Sequence, residues 1–199
     1  MVERKTSPWI IAFRVVFTIA LIWCVFFIFS NSLQIGEVSS VRSQQAMEII
    51  NKVLGKIGLG PLSEYYVRKI GHFAEFTLLG FLLMMCLRVY TSHFIRHTSW
   101  PLLLGLITAL TDETLQMYVP GRSSQVKDVW IDMSGVVMGI IAALVILLIV
   151  RMALSLHNTK KEIKRLREEK LTLEKRQKNK QPSDDTASKK QFYPGTDDA

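Results

Sequence analysis

Four stretches of the chain are predominantly apolar and are separated by polar segments, a pattern that predicts membrane-crossing helices. The first runs from about Ile10 to Phe29, follows Arg4 and Lys5, and contains one charge, Arg14, whose stem can extend back towards the interface. A cleaved signal peptide is the rival reading, but the segment is long and its exit, FSNSLQIG, offers no clear small-x-small site. Residues 31–69 form a polar connection in which Val41, Met47, Ile50, Val53, Leu54 and Ile57 fall near helical spacing. This predicts an amphipathic surface helix ended by Gly58-Leu59-Gly60-Pro61.

The second span is expected from about Ile70 to Tyr90, with an apolar middle and His72 and Glu75 near its first turn. The third, about Trp100 to Val119, is weaker because Asp112 and Glu113 interrupt it. Each apolar residue contributes about −0.3 to −0.6 kcal/mol to insertion, whereas a central Asp costs about +2.5 to +3.5. Such a segment crosses only if neighbouring helices shelter its acids or they lie near an interface, and a re-entrant hairpin is the alternative. The fourth, about Val129 to Val150, is long and clean after Asp132. Its Gly135 and Gly139 form a GxxxG that would let another helix approach closely, offering a route to an oligomer or a membrane-protein partner.

Composition and charge sharpen this picture. The chain has 199 residues, 49% of them hydrophobic, and a formal net charge of +8. Residues 151–199 hold 13 of the Lys/Arg and 8 of the Asp/Glu, so the tail supplies +5 of that charge. A single soluble domain is excluded, and Cys24 and Cys86, both inside apolar stretches, exclude a disulfide scaffold. The basic tail has no interleaved aromatic residues, which argues against nucleic acid as a partner and leaves membrane lipids. Lys and Arg placed before the first span, around the second connection and in the tail put both termini in the cytoplasm for a four-span chain. A three-span chain would move the tail outside. Leu156, Ile163, Leu166 and Leu173 give residues 151–178 a weak coiled-coil pattern, and residues 179–199 read as disordered. The expected fold class is therefore all-α: four transmembrane helices (residues 9–150), an amphipathic connecting helix and a charged cytoplasmic tail.

On this topology the polar residues gather at one end, towards the outer face. Lys69, His72 and Glu75 enter with the second span, Asp112, Glu113 and Gln116 leave with the third, Arg122 lies in the loop, and Asp128 and Asp132 begin the fourth. Residues three or four apart share a helix face, so each helix presents a polar stripe. Ionisable groups at membrane depth are costly, and converging stripes read by default as a site. Holding the bundle together is the plainer role, with Arg68, Lys69, Arg122 and Lys127 neutralising carboxylates. No HExxH or comparable ligand spacing is present, so neither a metal nor another cofactor is expected, although His72 with several carboxylates could offer ligands to a divalent cation. Ser123, Ser124 and Ser134 show no nucleophile elbow.

Three blocks, RKIGHFAEFTLLG at 68–80, DETLQMYVPGR at 112–122 and DVWIDMSGVVMG at 128–139, resemble the VanZ-like family of bacterial membrane proteins in order and spacing. The resemblance covers about residues 10–150. The family's usual Asn in the last block is Asp132 here, which counts against an amide-specific role at that position. The resemblance implies a contribution to resistance against teicoplanin-type glycopeptides. Such an antibiotic carries a fatty acyl chain and, like a lipid-linked cell-wall precursor, would suit a polar cluster at lipid depth. A non-catalytic amphiphile-binding envelope protein is the reading favoured here, because no nucleophile is evident. A membrane-embedded enzyme using His72 with Glu75, Asp112 or Glu113 as acid and base is the alternative, and a structural partner of another membrane protein the third.

Overall fold

The structure, a computed structural model, describes residues 8–91, 93–122 and 124–180, with side chains through 176. Arg4, Lys5, Ser123 and nearly all of the segment expected to be disordered lie outside the described residues. Those described form five α-helices and one short 3-10 turn, with no strand among them: α1 (Pro8–Ser32), α2 (Gly36–Lys56), α3 (Glu64–Tyr90), the turn Phe94–His97, α4 (Ser99–Met117) and α5 (Val126–Lys180). They divide into two compact units after Leu148.

In the first unit α1, α3, α4 and the start of α5 alternate in direction. Arg14 near the start of α1 donates to the Val89 carbonyl at the end of α3 (3.0 Å), while Asn31 at the end of α1 meets Glu75 near the start of α3 (2.9 Å). Arg14 thus caps the last turn of α3. Helix α4 brings its C-terminal Asp112 to His72, so it runs against α3, and α5 runs with α3. Gly135 packs on Phe73 and Phe76, and Gly139 on Thr77 and Phe81. A Cβ on Gly135 would lie 2.6 Å from the Phe73 carbonyl oxygen, so only glycine permits this approach. The GxxxG face expected to receive a partner is filled by α3 of the same chain.

Three helices, α1, α3 and α5, are long and apolar enough to cross a membrane. Helix α4 falls short on composition because it carries Asp112, Glu113 and Gln116, all of which it buries. Its buried stripe is Pro101, Gly105, Ala109, Asp112, Glu113 and Gln116, while Leu103, Leu104, Ile107 and Leu110 face outward. This inverts the soluble pattern and suits a hydrocarbon surround. It is one uninterrupted helix of 19 residues, about 28 Å long at the α-helical rise, and no hairpin interrupts it. The core between the helices is built on Ile28, Phe76, Leu79, Met84, Val136 and Ala143.

Helix α2 forms as expected, but its faces differ from the expectation. Met47, Ile50 and Leu54 are half-buried, whereas Val41, Val53 and Ile57 are exposed. Asn51 fastens the following loop by donating to the Leu62 carbonyl and accepting from its N–H. Helix α2 ends where Gly58 adopts φ +76°, the left-handed conformation that glycine takes without strain. In the second unit α5 continues as helix to Lys180, and Leu156, Ile163, Leu166 and Leu173 are all exposed.

Candidate functional site

The end of α1, the first turns of α3 and α5 and the last turns of α4 meet at one end of the first unit. Lys69, His72, Glu75, Asp112, Glu113, Gln116, Arg122, Asp128 and Asp132 all lie there, but their bonding divides them into two groups.

One group holds the end of the bundle together. Arg122 donates to the main-chain carbonyls of Asn31 (2.7 Å) and Gln34 (3.2 Å), at and just beyond the end of α1, where the Asn31 carbonyl also accepts from the Gln34 N–H (3.3 Å). Next to it Gly36 donates its N–H to the Pro120 carbonyl (3.1 Å), and Gly121, at φ +77°, lies against Gly36. The 118–122 loop is thereby stitched to the α1–α2 junction. Burial pushes the Arg122 pKa down from its ordinary value and Arg68 adds to this, while Asp112, Glu75 and Glu113 oppose the shift. Glu113 accepts from the Ser124 hydroxyl (2.7 Å) and the Gln125 N–H (3.1 Å) just ahead of α5. A carboxylate there favours both the free amides and the helix dipole. Asp128, in the first turn of α5, is ion-paired with Lys69 of α3. Lys69, Glu113, Arg122 and Asp128 therefore all have structural partners.

The second group lies deeper. Asp112 is fully buried and accepts from the Ser32 hydroxyl through one oxygen and from Gln116 (2.9 Å) through the other. His72 Nδ1 lies 3.8 Å from Asp112 Oδ2 and 3.7 Å from Asp132 Oδ1, too far for a hydrogen bond to either. Asp132 is also fully buried, and neither of its oxygens has a hydrogen-bond partner. One ligand atom each from His72, Asp112 and Asp132 fall within 4.8 Å of one another. Glu75 stands to the side, held by Asn31. Asn31 and Ser32 were not selected from the sequence. Their one signal was the short polar run that ends the first apolar stretch.

Two cavities open on this cluster. The first, about 290 Å³, lies among α1, α2 and α3, with Phe27, Ala46 and Val67 on its apolar wall and Arg42, Arg68 and Arg122 on its charged one. The second, about 270 Å³, is lined by Tyr65, Lys69, Gln116 and Asp128 among others. Arg68, His72 and Arg122 line both. Arg68 is tied to Glu64 and Ser40, yet its buried Nε has no partner.

No curated protein and no solved structure matches the chain. The family model described as VanZ/LLP1 matches residues 14–150, which span all of the helices that build this cluster. With three helices able to cross a membrane and the match running through the first unit, this membrane protein belongs to the VanZ-like family.

Proposed function

We propose that the chain is a four-span protein of the bacterial cell envelope, with both termini cytoplasmic, that receives the polar part of an amphiphile at the outer end of its bundle. The carrying observation is the cavity among α1, α2 and α3, whose lining passes from Phe27, Ala46 and Val67 to Arg42, Arg68 and Arg122. Three guanidinium groups against the single carboxylate of Glu75 favour an anionic head, and the apolar wall accommodates the start of an acyl chain. A lipoglycopeptide of the teicoplanin type or a lipid-linked cell-wall precursor has this chemistry, and family membership favours a contribution to glycopeptide resistance. The four-span arrangement is supported by α4, which reaches from one end of the bundle to the other with its acids turned inward. Both termini then lie on the cytoplasmic side, as does the turn carrying Arg96.

A catalytic reading has one observation in its favour: His72, on the wall of both cavities, stands between two buried carboxylates. Susceptibility to an acylated glycopeptide, measured with the folded protein level in the same cells, tests the proposal. Arg68→Gln is expected to lower resistance at unchanged protein level. Loss of resistance only in step with loss of protein would reduce the cluster to a structural role.

A further inference from the structure

We propose that His72, Asp112 and Asp132 form a binding site for one divalent transition-metal ion, zinc or manganese. The donors come from three helices, with imidazole Nδ1 from α3, a carboxylate from α4 and a carboxylate from α5. Two buried carboxylates in an apolar bundle need a cation, a proton or a set of donors. Among the described residues, His72 is the one basic side chain within ion-pair distance of either. Lys69 is paired with Asp128, and Arg122 with the carbonyls ending α1. A proton shared between the two carboxyls would draw their oxygens into a hydrogen bond, but both oxygens of Asp132 are buried without any such partner. An ion satisfies Asp132 and the unpartnered Nδ1 of His72 together.

The dimensions agree. Ligands about 2.0–2.2 Å from a tetrahedral ion stand about 3.4 Å apart. The 3.8 and 3.7 Å from His72 to Asp112 and Asp132 need only a few tenths of an ångström of side-chain movement, and the two carboxylates, within 4.8 Å of each other, close on the ion by turning. The imidazole favours zinc over calcium and magnesium, and the two carboxylates keep manganese as the second fit. Ser32 holds Asp112 through its far oxygen and Gln116 donates to the oxygen that faces His72, as outer partners of a ligand do. Three protein donors leave a further position on the ion for water or another oxygen ligand.

The site stands independently of the amphiphile reading, and its test needs no head-group ligand. Full-length protein purified in detergent is stripped with a chelator and desalted. It is then titrated separately with Zn²⁺, Mn²⁺ and Mg²⁺, and bound metal is measured by elemental mass spectrometry. One zinc or manganese ion per chain is expected, with a rise in the thermal unfolding temperature that chelator reverses. Co²⁺ is expected to give a visible ligand-field spectrum that is absent from His72→Gln. Asp132→Asn is expected to lose the ion and Glu37→Gln, on exposed α2, to keep it. Ser32→Ala, which removes only a hydrogen bond to Asp112, is expected to weaken zinc binding about 10–100-fold. Substoichiometric binding of all three ions by stripped wild-type protein, with no thermal shift, overturns the proposal without any variant. Equal zinc binding by wild type, Asp132→Asn and His72→Gln overturns the assignment to these ligands.

Discussion

Arg122 reaches back across the bundle to donate to the main-chain carbonyl of Asn31 at 2.7 Å, joining the loop before α5 to the end of α1. A charge-assisted bond of this kind contributes about 1.5–3 kcal/mol, and its loss leaves the Asn31 carbonyl with only the Gln34 N–H at 3.3 Å and takes the guanidinium from the Gln34 carbonyl. Arg122→Ala is therefore expected to lower the thermal unfolding temperature and the yield of folded protein. Arg122→Lys is expected to recover only part of the loss, because one ammonium lacks the guanidinium fork. Unfolding temperatures of the purified variants check this, and an Arg122→Ala protein as stable as wild type would contradict it.

The two kinds of carboxylate predict opposite responses to neutralisation. Glu113→Gln weakens the clamp on Ser124 and Gln125 and is expected to cost about 1.5–3 kcal/mol. Asp132→Asn removes a buried charge without a hydrogen-bond partner, so in chelator-treated protein it is expected to be neutral or stabilising. Thermal unfolding of both variants in chelator, on the same day and in the same detergent, reads the sign directly.

Helix α5 lies against α3 through glycine, so Gly139→Ala is expected to be severe despite its small size. A Cβ there would lie 2.6 Å from the Phe81 nitrogen and closer still to the Thr77 carbonyl, both main-chain atoms that cannot rotate away. Overpacking of this kind costs about 1–3 kcal/mol or more. Ser134→Ala, on an exposed face one residue from Gly135, is expected to be nearly silent. The fraction of each variant that stays monodisperse after detergent extraction measures the difference.

The spans were legible because long apolar runs have few alternatives, and the match to α1, α3 and α5 follows from that. Helix α4 was harder to read because average hydropathy cannot show that Asp112, Glu113 and Gln116 share a buried stripe with Pro101, Gly105 and Ala109. The gathering of polar residues at one end was also legible, from helix order alone. Their division into clamps and an unsatisfied centre was not, since Glu113 and Arg122 bind main-chain groups, which leave no pattern in side-chain sequence. The His72, Asp112 and Asp132 group draws on three helices, so no local ligand spacing announces it. The apolar face of α2 was misassigned because apolar residues occur on both of its sides, and burial against α3 selects one.

Topology can be read with single cysteines, because native Cys24 and Cys86 are buried. Tyr118→Cys, at an exposed position beside the cluster, is expected to react with a membrane-impermeant maleimide added to intact cells. Leu173→Cys in the tail is expected to react only after the cells are permeabilised. Labelling of Leu173→Cys from outside would place the tail there and replace four spans with three.

The cavity ending at Arg68 and His72 is proposed to receive an anionic amphiphile. Its most direct test is equilibrium binding of an acylated glycopeptide, and separately of a lipid-linked cell-wall precursor, to the protein in nanodiscs, with empty nanodiscs as the reference. Wild type is expected to bind at least one of them above the reference. Arg68→Gln is expected to bind it at least about tenfold more weakly, a difference of about 1.4 kcal/mol, at an unchanged unfolding temperature. Binding of neither amphiphile above empty nanodiscs, or equal binding by wild type and Arg68→Gln, would show that this cavity does not receive such a head group.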